Sequence, residues 1–263
     1  VRIAVLASGS RGNSIYIEDG SGALLVDAGL AAREALKRLG AAGGDPEQVQ
    51  GVLVTHEHQD HVLGLDSLSS KLGVTVFGTH GTLHGWRMSR KRTKREPDIH
   101  ALHYLERHVV GGFTIEPFPT FHDAAEPCGY LISSGDARLA VCTDTGNLSP
   151  GIIEIFRKCD GLVLESNHCP DMLATGPYPE VLKRRIRSGK GHLSNLKTAS
   201  CLKDLGGNVG KVMLAHLSEV NNTPHKAFST ARDGLGLYVD DVMITVASQL
   251  GPLSPDGLQE MTI

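Results

Sequence analysis

Apolar residues along this chain come in short runs, and several of those runs stop at an acidic residue or a histidine. Val1-Arg2-Ile3-Ala4-Val5-Leu6, Ile15-Tyr16-Ile17, Leu24-Leu25-Val26 and Val52-Leu53-Val54 set the pattern in the first quarter. They are brief, rich in branched residues and bounded by Gly, Asp and Ser, which predicts buried strands. Residues 74–77, 113–115, 129–132, 138–142, 161–164 and 211–214 read the same way. Between them, apolar positions at helical spacing predict helices. Over residues 31–39 these are Ala32, Ala35, Leu36 and Leu39, with Gly40 after the end. Further helices are expected over residues 64–72, 79–90, 152–157 and 178–188, and from Asn195 through Leu205, with a helical turn at Asp45-Pro46. The tail from Pro252 reads as poorly ordered. Both halves alternate strand and helix without a repeat or a long linker. One α+β domain over residues 1–263, with helices outside the sheets, is the expectation.

The chemistry concentrates where strands end. Thr55-His56-Glu57-His58-Gln59-Asp60-His61 follows the run 52–54. Three imidazoles and a carboxylate so close together suit a divalent cation such as zinc, and they accept manganese or iron as well. Residues two apart face different sides of a helix, so His56 and His58 could share an ion only on a loop. A helical H-E-x-x-H zinc site is excluded, because Asp60 stands where its second histidine would be. Asp27, His122, Asp144 and His216 also follow predicted strands or the loops between them. Taken singly, each would more often be a hydrogen-bonded polar residue than a ligand.

Composition narrows the partners. The formal net charge is -3, so overall basicity does not advertise nucleic acid. Against that background, Arg87, Arg90, Lys91, Arg92, Lys94 and Arg95 crowd into residues 87–95, and Lys183, Arg184, Arg185 and Arg187 form a second basic stretch. Such runs are usually solvated faces; concentrated this way they are also candidate phosphate contacts. Five cysteines form no C-x-x-C pair and fit a reducing, cytoplasmic setting. The first residues are too short an apolar run for a signal peptide, and no run approaches a membrane span. The 31 glycines imply many tight turns. One of them, Ser8-Gly9-Ser10-Arg11-Gly12-Asn13-Ser14, could cradle an anion, though an ordinary hairpin turn is the preferred reading.

The order His56-x-His58-x-Asp60-His61 resembles the signature of the metallo-β-lactamase superfamily, whose fold is a four-layer αββα sandwich. The resemblance implies two divalent metal ions, zinc or manganese. It assigns His56, His58 and His122 to the first, Asp60, His61 and His216 to the second, and Asp144 as a bridge. Asp27 would orient the metal histidines. Asp144, with no ligand cysteine at its place, points away from β-lactam hydrolysis.

Further motifs are similar to those of the YycJ/WalJ family of bacterial DNA exonucleases: Ser8-Gly9-Ser10, Gly12-Asn13-Ser14, Thr143-Asp144-Thr145-Gly146, Glu165-Ser166-Asn167-His168, Gly191-His192-Leu193-Ser194-Asn195 and Ala215-His216-Leu217-Ser218. Phe121 and Cys169 depart from that pattern, where threonine and aspartate are expected. The 72 positions between Asp144 and His216 leave no room for the inserted domain of the β-CASP nucleases. No long arm of the tRNA 3′-processing type is evident either.

The function so implied is a metal-dependent phosphodiesterase, a 5′→3′ DNA exonuclease in which a hydroxide shared by both metals attacks phosphorus. Asp60, Asp144 and His192 are the catalytic candidates, with His192 donating to the scissile phosphate or leaving oxygen. Ser194, Asn195, His168 and Arg92 are candidate substrate contacts, with DNA the expected partner and RNA the alternative. Two other classes compete: a glyoxalase II-like thioester or lactone hydrolase, and a non-catalytic, metal-stabilised DNA-binding module. Oligomeric state is not legible. His80, His84, His100, His103, His108 and His225 match no motif and read as surface or core histidines.

Overall fold

The computed structural model describes residues 1–90, 96–254 and 259–263. Among these, strands form at Arg2–Ala7 (β1), Ser14–Asp19 (β2), Gly22–Val26 (β3), Val49–Leu53 (β4), Thr75–Thr79 (β5), Ile99–Leu102 (β6) and His108–Val110 (β7). Phe113–Pro119 (β8), Cys128–Ser134 (β9), Ala137–Cys142 (β10), Gly161–Glu165 (β11), Lys211–Ala215 (β12), Met243–Val246 (β13) and Glu260–Thr262 (β14) complete them. The α-helices are Ala32–Ala41 (α1), Gln59–Val62 (α2), Leu65–Leu72 (α3), His80–Ser89 (α4), Pro150–Phe156 (α5), Pro170–Thr175 (α6), Glu180–Arg187 (α7), Asn195–Leu205 (α8) and Pro224–Leu235 (α9).

Two seven-stranded sheets result, ordered β14-β1-β2-β3-β4-β5-β6 and β13-β12-β11-β10-β9-β8-β7. Successive side chains of a strand point to opposite faces, and that alternation builds the layers. Ile3 and Val5, Leu24 and Val26, Leu139 and Val141, and Val163 and Met213 enter the core between the sheets. Their neighbours Ala4, Leu6 and Leu25 pack with Ala35, Leu39, Leu68 and Trp86 of the helices over the first sheet. Ala140, Leu162, Leu164 and Leu214 do the same with Phe156, Leu202 and Ala231 over the second. Three apolar layers therefore separate four structural ones, and the αββα sandwich expected from the sequence is the architecture found.

Each sheet places parallel strands side by side: β3 to β6 in one and β10 to β13 in the other. Parallel neighbours need crossovers, here carrying helices, so their C-terminal ends all open on one edge of the sandwich. Every acidic or histidine strand-end residue noted above is delivered to that edge.

Two differences from the sequence reading stand out. β6, β7, β13 and α9 were not predicted. The buried face of α9 is Ala227, Ala231 and Leu235, too small-sided to announce a helix. The tail is not poorly ordered throughout: β14 pairs antiparallel with β1, Met261 opposite Ile3. No helix of the described residues is long and apolar enough to cross a membrane.

Candidate metal centre

Chain segments from both sheets converge at the common edge. Asp27 follows β3, His56 and His58 lie on the loop after β4, and Asp60 and His61 occupy the single turn of α2. His122 follows β8, Asp144 follows β10, Glu165 ends β11 and His216 follows β12. The prediction of a loop thus holds for His56 and His58, while the next residues wind into a helical turn. Asp27, Asp144 and His216 each take a positive φ, 65°, 53° and 55°. A left-handed residue straight after a strand turns its side chain in over the strand end, a conformation that side chains rarely adopt without a local reason.

The α2 turn is clamped by neighbouring backbone. Asn13 N donates to Asp60 O, Ala28 N to His61 O, and Gly64 N to Ala28 O, at 2.7, 2.8 and 2.9 Å. A Cβ on Gly29 would run into the Asp60 carbonyl, so this approach requires glycine. The Ser8–Ser14 turn is closed by a bond of its own and by one to Gln249. Gly9 N donates to Asn13 Oδ1 and Arg11 N to Gln249 Oε1. The ordinary-turn reading fits this better than an anion cradle.

Most of the imidazoles are held from outside through Nδ1. His61 Nδ1 donates to Asp27 Oδ2 at 2.8 Å and His122 Nδ1 to Gly191 O at 3.0 Å. His216 Nδ1 donates to Glu165 Oε1 at 3.0 Å, and His56 Nδ1 lies 3.0 Å from Thr55 Oγ1. That hydroxyl itself donates to Asp27 at 2.9 Å. With Nδ1 occupied, the ring orientation is fixed and Nε2 faces inward, where its lone pair would meet a metal once any proton there is displaced. His56 Nε2 and His216 Nε2 are buried with no hydrogen-bond partner, and so is Asp144 Oδ2. Buried polar atoms are rarely left so unless something other than the protein binds them.

The donor atoms of His56, His58 and His122 lie within 4.8 Å of one another, as do those of Asp60, His61 and His216. His56, His61 and Asp144 form a third such group that links the two, and Asp144, Glu165, His192 and His216 a fourth. His58 Nδ1 stands 3.3 Å from His122 Nε2. His61 Nε2 is 3.6 Å from Asp60 Oδ2 and 3.2 Å from Asp144 Oδ2. Ligands about 2 Å from one ion stand roughly 3.3 Å apart at tetrahedral corners, so the donor set fits divalent metal.

Electrostatics agree. Burial, helped by the neighbouring His61, pushes His56 well below its usual range. Burial also opposes charge on His61 and His216, yet Asp27 and Asp144 hold the first well above it. Asp144, Asp60 and Glu165 raise the second to about 10. Burial resists ionisation of Glu165, but His192 and His216 bring its carboxyl down to about 2. Ionised carboxylates this deep require positive charge beside them.

Glu165 was named in the sequence only as part of a family motif and was given no role there. It is fully buried, and its Oε1 accepts from both His192 Nδ1 and His216 Nδ1. Its Oε2 accepts from Thr145 N and Leu193 N. The signal was available: an acidic residue ending Leu162-Val163-Leu164, as Asp27 follows Leu24-Leu25-Val26.

The expected substrate contacts fare differently. His192 lines the cleft over the cluster. Asn195 is buried, its carbonyl accepting from Ser166 and its amide donating to Asn222. Ser194 caps α8, accepting from Lys197 N. His168 is 3% exposed and outside the cleft lining. The side chains of these three are buried and stand outside the cleft lining. Arg92, with Lys91, Lys94 and Arg95, lies outside the described residues. Arg90 is engaged by Asp66 and Glu96 and stacks on Trp86 at 4.6 Å, so its charge is already matched. The cleft measures about 250 Å³ and is lined by cluster residues, by Ser10, Asn167, Leu217 and Ser218, and by Tyr178, Leu182, Arg185 and Ile186 in and before α7.

The chain is similar to known proteins in sequence and in fold. The model of the beta-lactamase superfamily domain matches residues 23–217. The exodeoxyribonuclease WalJ of Streptococcus pneumoniae is 35% identical over 246 residues, covering 91% of each chain. The exodeoxyribonuclease YycJ of Bacillus anthracis is 36% identical over 225 residues, 84% of each. Among solved structures, the metallo-beta-lactamase fold protein YhfI from Bacillus subtilis superposes with a TM-score of 0.74 at 17% identity, covering 94% of this chain and 97% of that one. Zn(2+)-bound PqqB from Methylobacterium extorquens gives 0.72 at 17% identity over the full length of both.

Proposed function

The chain belongs to the metallo-β-lactamase superfamily and, within it, to the WalJ/YycJ-like family of metal-dependent nucleases, and on that footing we propose that it is a 5′→3′ DNA exonuclease working with two divalent metals. Thioester hydrolysis and the non-catalytic module are thereby set aside. We assign His56, His58 and His122 to one ion, Asp60, His61 and His216 to the other, and Asp144 to both. The observation that carries this is the set of inward-facing, partnerless His56 Nε2, His216 Nε2 and Asp144 Oδ2. Bound there, zinc or manganese would supply an activated water and polarise the phosphoryl oxygens.

The protein's own part is positioning. Asp27 and Thr55 fix the rings of His61 and His56. Glu165 fixes His192 through Nδ1, which leaves Nε2 as the atom that meets the scissile phosphate or its leaving oxygen. The deep carboxylates repel a phosphate unless cations balance them, so turnover depends on metal. We read residues 1–263 as one domain, supported by the pairing of β14 with β1. The five free cysteines fit work in the cytoplasm.

End-labelled DNA and RNA, single- and double-stranded, incubated with zinc or manganese, test this reading. Stepwise release of mononucleotides from the 5′ end of DNA is expected. Release from RNA alone, or from the 3′ end, would contradict the substrate or the polarity assigned.

A further inference from the structure

α7 lays one face along the cleft. Leu182, Arg185 and Ile186 are spaced i, i+3 and i+4, and all three line it, with Tyr178 just before the helix. Two other cations of this basic helix are used elsewhere. Lys183 Nζ donates to Ala174 O at 2.7 Å, and Arg187 pairs with Glu180 at 2.5 Å. Arg185 instead reaches across to Asp123, donating from Nε to Oδ2 at 2.6 Å and from Nη2 to Oδ1 at 3.1 Å. Asp123 Oδ1 is itself 3.4 Å from His122 Nε2. The guanidinium therefore stands one carboxylate away from the ligand cluster. Its plane is fixed by a two-point fork, and among the described residues its Nη1 hydrogens meet no other acceptor. The pair is half-exposed, so ligands reach it.

This wall offers two kinds of surface at once. Arg185 presents fixed donors of the geometry that phosphate accepts. Tyr178, Leu182 and Leu217 present an aromatic ring and apolar groups, with no array of donors and acceptors that would read a base edge. Stacking on such a surface tolerates any base. A strand whose scissile phosphate lies at the cluster must place its neighbouring nucleotide somewhere within the same cleft, where among the described residues Arg185 is the one Lys or Arg in the lining.

We propose that Tyr178 and α7 form the subsite for the nucleotide next to the cut, with Arg185 binding that nucleotide's phosphate and Tyr178 and Leu182 packing on its base without sequence preference. The proposal rests on the nuclease reading above and adds where the strand lies.

The test uses the metal-loaded full chain and short thymidine oligonucleotides. One is all phosphate; others carry a neutral methylphosphonate at the second linkage from either end, so that the bond cut keeps its charge and its neighbour loses it. Release of the terminal nucleotide is measured for the native protein and for Arg185→Gln. In the native protein the neutral neighbour should lower kcat/KM roughly tenfold, mostly through KM, the size expected of a charge-assisted hydrogen bond. In Arg185→Gln that ratio should fall to near one. Tyr178→Ala is scored the same way against an abasic residue beside the cut, and there the loss caused by removing the base should shrink toward one. A purely structural tie between α7 and the Asp123 loop would slow all substrates together and leave both ratios as in the native protein, which would overturn the proposal. A native ratio near one would overturn it as well. Failure of the native protein to release nucleotides from the all-phosphate strand would instead overturn the nuclease reading.

Discussion

Glu165 and His192 are joined by a hydrogen bond of 2.8 Å between Oε1 and Nδ1, and the same carboxylate oxygen holds His216 Nδ1 at 3.0 Å. One buried side chain thus orients a histidine assigned to substrate and a histidine assigned to metal. Its other oxygen accepts two backbone N–H groups, from Thr145 and Leu193. Glutamine cannot replace it, because its NH₂ must face either two imidazole N–H groups or two backbone N–H groups. Glu165→Gln is expected to lower kcat/KM on DNA about 10–100-fold and to weaken metal retention against a chelator. Unchanged turnover at saturating metal would show that the carboxylate only packs.

Arg90 separates structure from substrate within the basic stretch. Its side chain is nearly buried between Asp66, Glu96 and the Trp86 ring. Arg90→Ala should cost about 2 kcal/mol in denaturant unfolding while leaving the salt dependence of DNA affinity as it was. Replacing Lys91, Arg92 and Lys94 together by glutamine should flatten that dependence by about one unit for each phosphate no longer neutralised. Equal salt slopes for the native protein and the triple variant would remove this segment from the DNA path.

Two glycine substitutions should move stability in opposite directions. Gly40, inside α1, has open space where a Cβ would stand, whereas a Cβ on Gly29 meets the Asp60 carbonyl. Gly40→Ala should stabilise by roughly 0.5–1 kcal/mol. Gly29→Ala should destabilise by about 2 kcal/mol or more and loosen the α2 turn, with weaker metal binding. Thermal melts of both variants with and without metal distinguish the two effects.

Burial lowers His168 from its ordinary value of 6.5 to about 4 in the folded chain. The unfolded chain therefore takes up this proton first as pH falls. The stability contributed is fully present above pH 6.5 and is lost as the pH drops through about 4, on the order of 3 kcal/mol in all. The substitution His168→Asn should flatten the acid limb of the stability profile between those values. Parallel profiles for the native chain and the His168→Asn variant would contradict the assignment.

The convergence of these side chains was legible in the sequence through the His56-x-His58-x-Asp60-His61 signature and the family motifs it resembles, whereas strand-end position alone left Asp27, His122, Asp144 and His216 as ordinary polar residues. Glu165 also ends a strand and was given no role, since its partners come from loops 20 to 51 positions away. Burial of Ser194, Asn195 and His168 was not legible for a different reason. Asn195 ties Ser166 to Asn222 in the interior, and a polar residue bonded inside the protein looks in sequence like one offered to a ligand. Arg185 and Tyr178 could not be singled out, because only the packing of α7 over the strand ends brings them to the cleft. β14 was invisible for a similar reason: three residues make a strand only when β1 offers an edge.

Anomalous diffraction from crystals of the zinc- or manganese-loaded protein tests the central claim most directly. Two ions per chain are expected, one held by His56, His58 and His122, the other by Asp60, His61 and His216, with Asp144 touching both. Metal found only elsewhere, with these side chains turned away from it, would contradict the account.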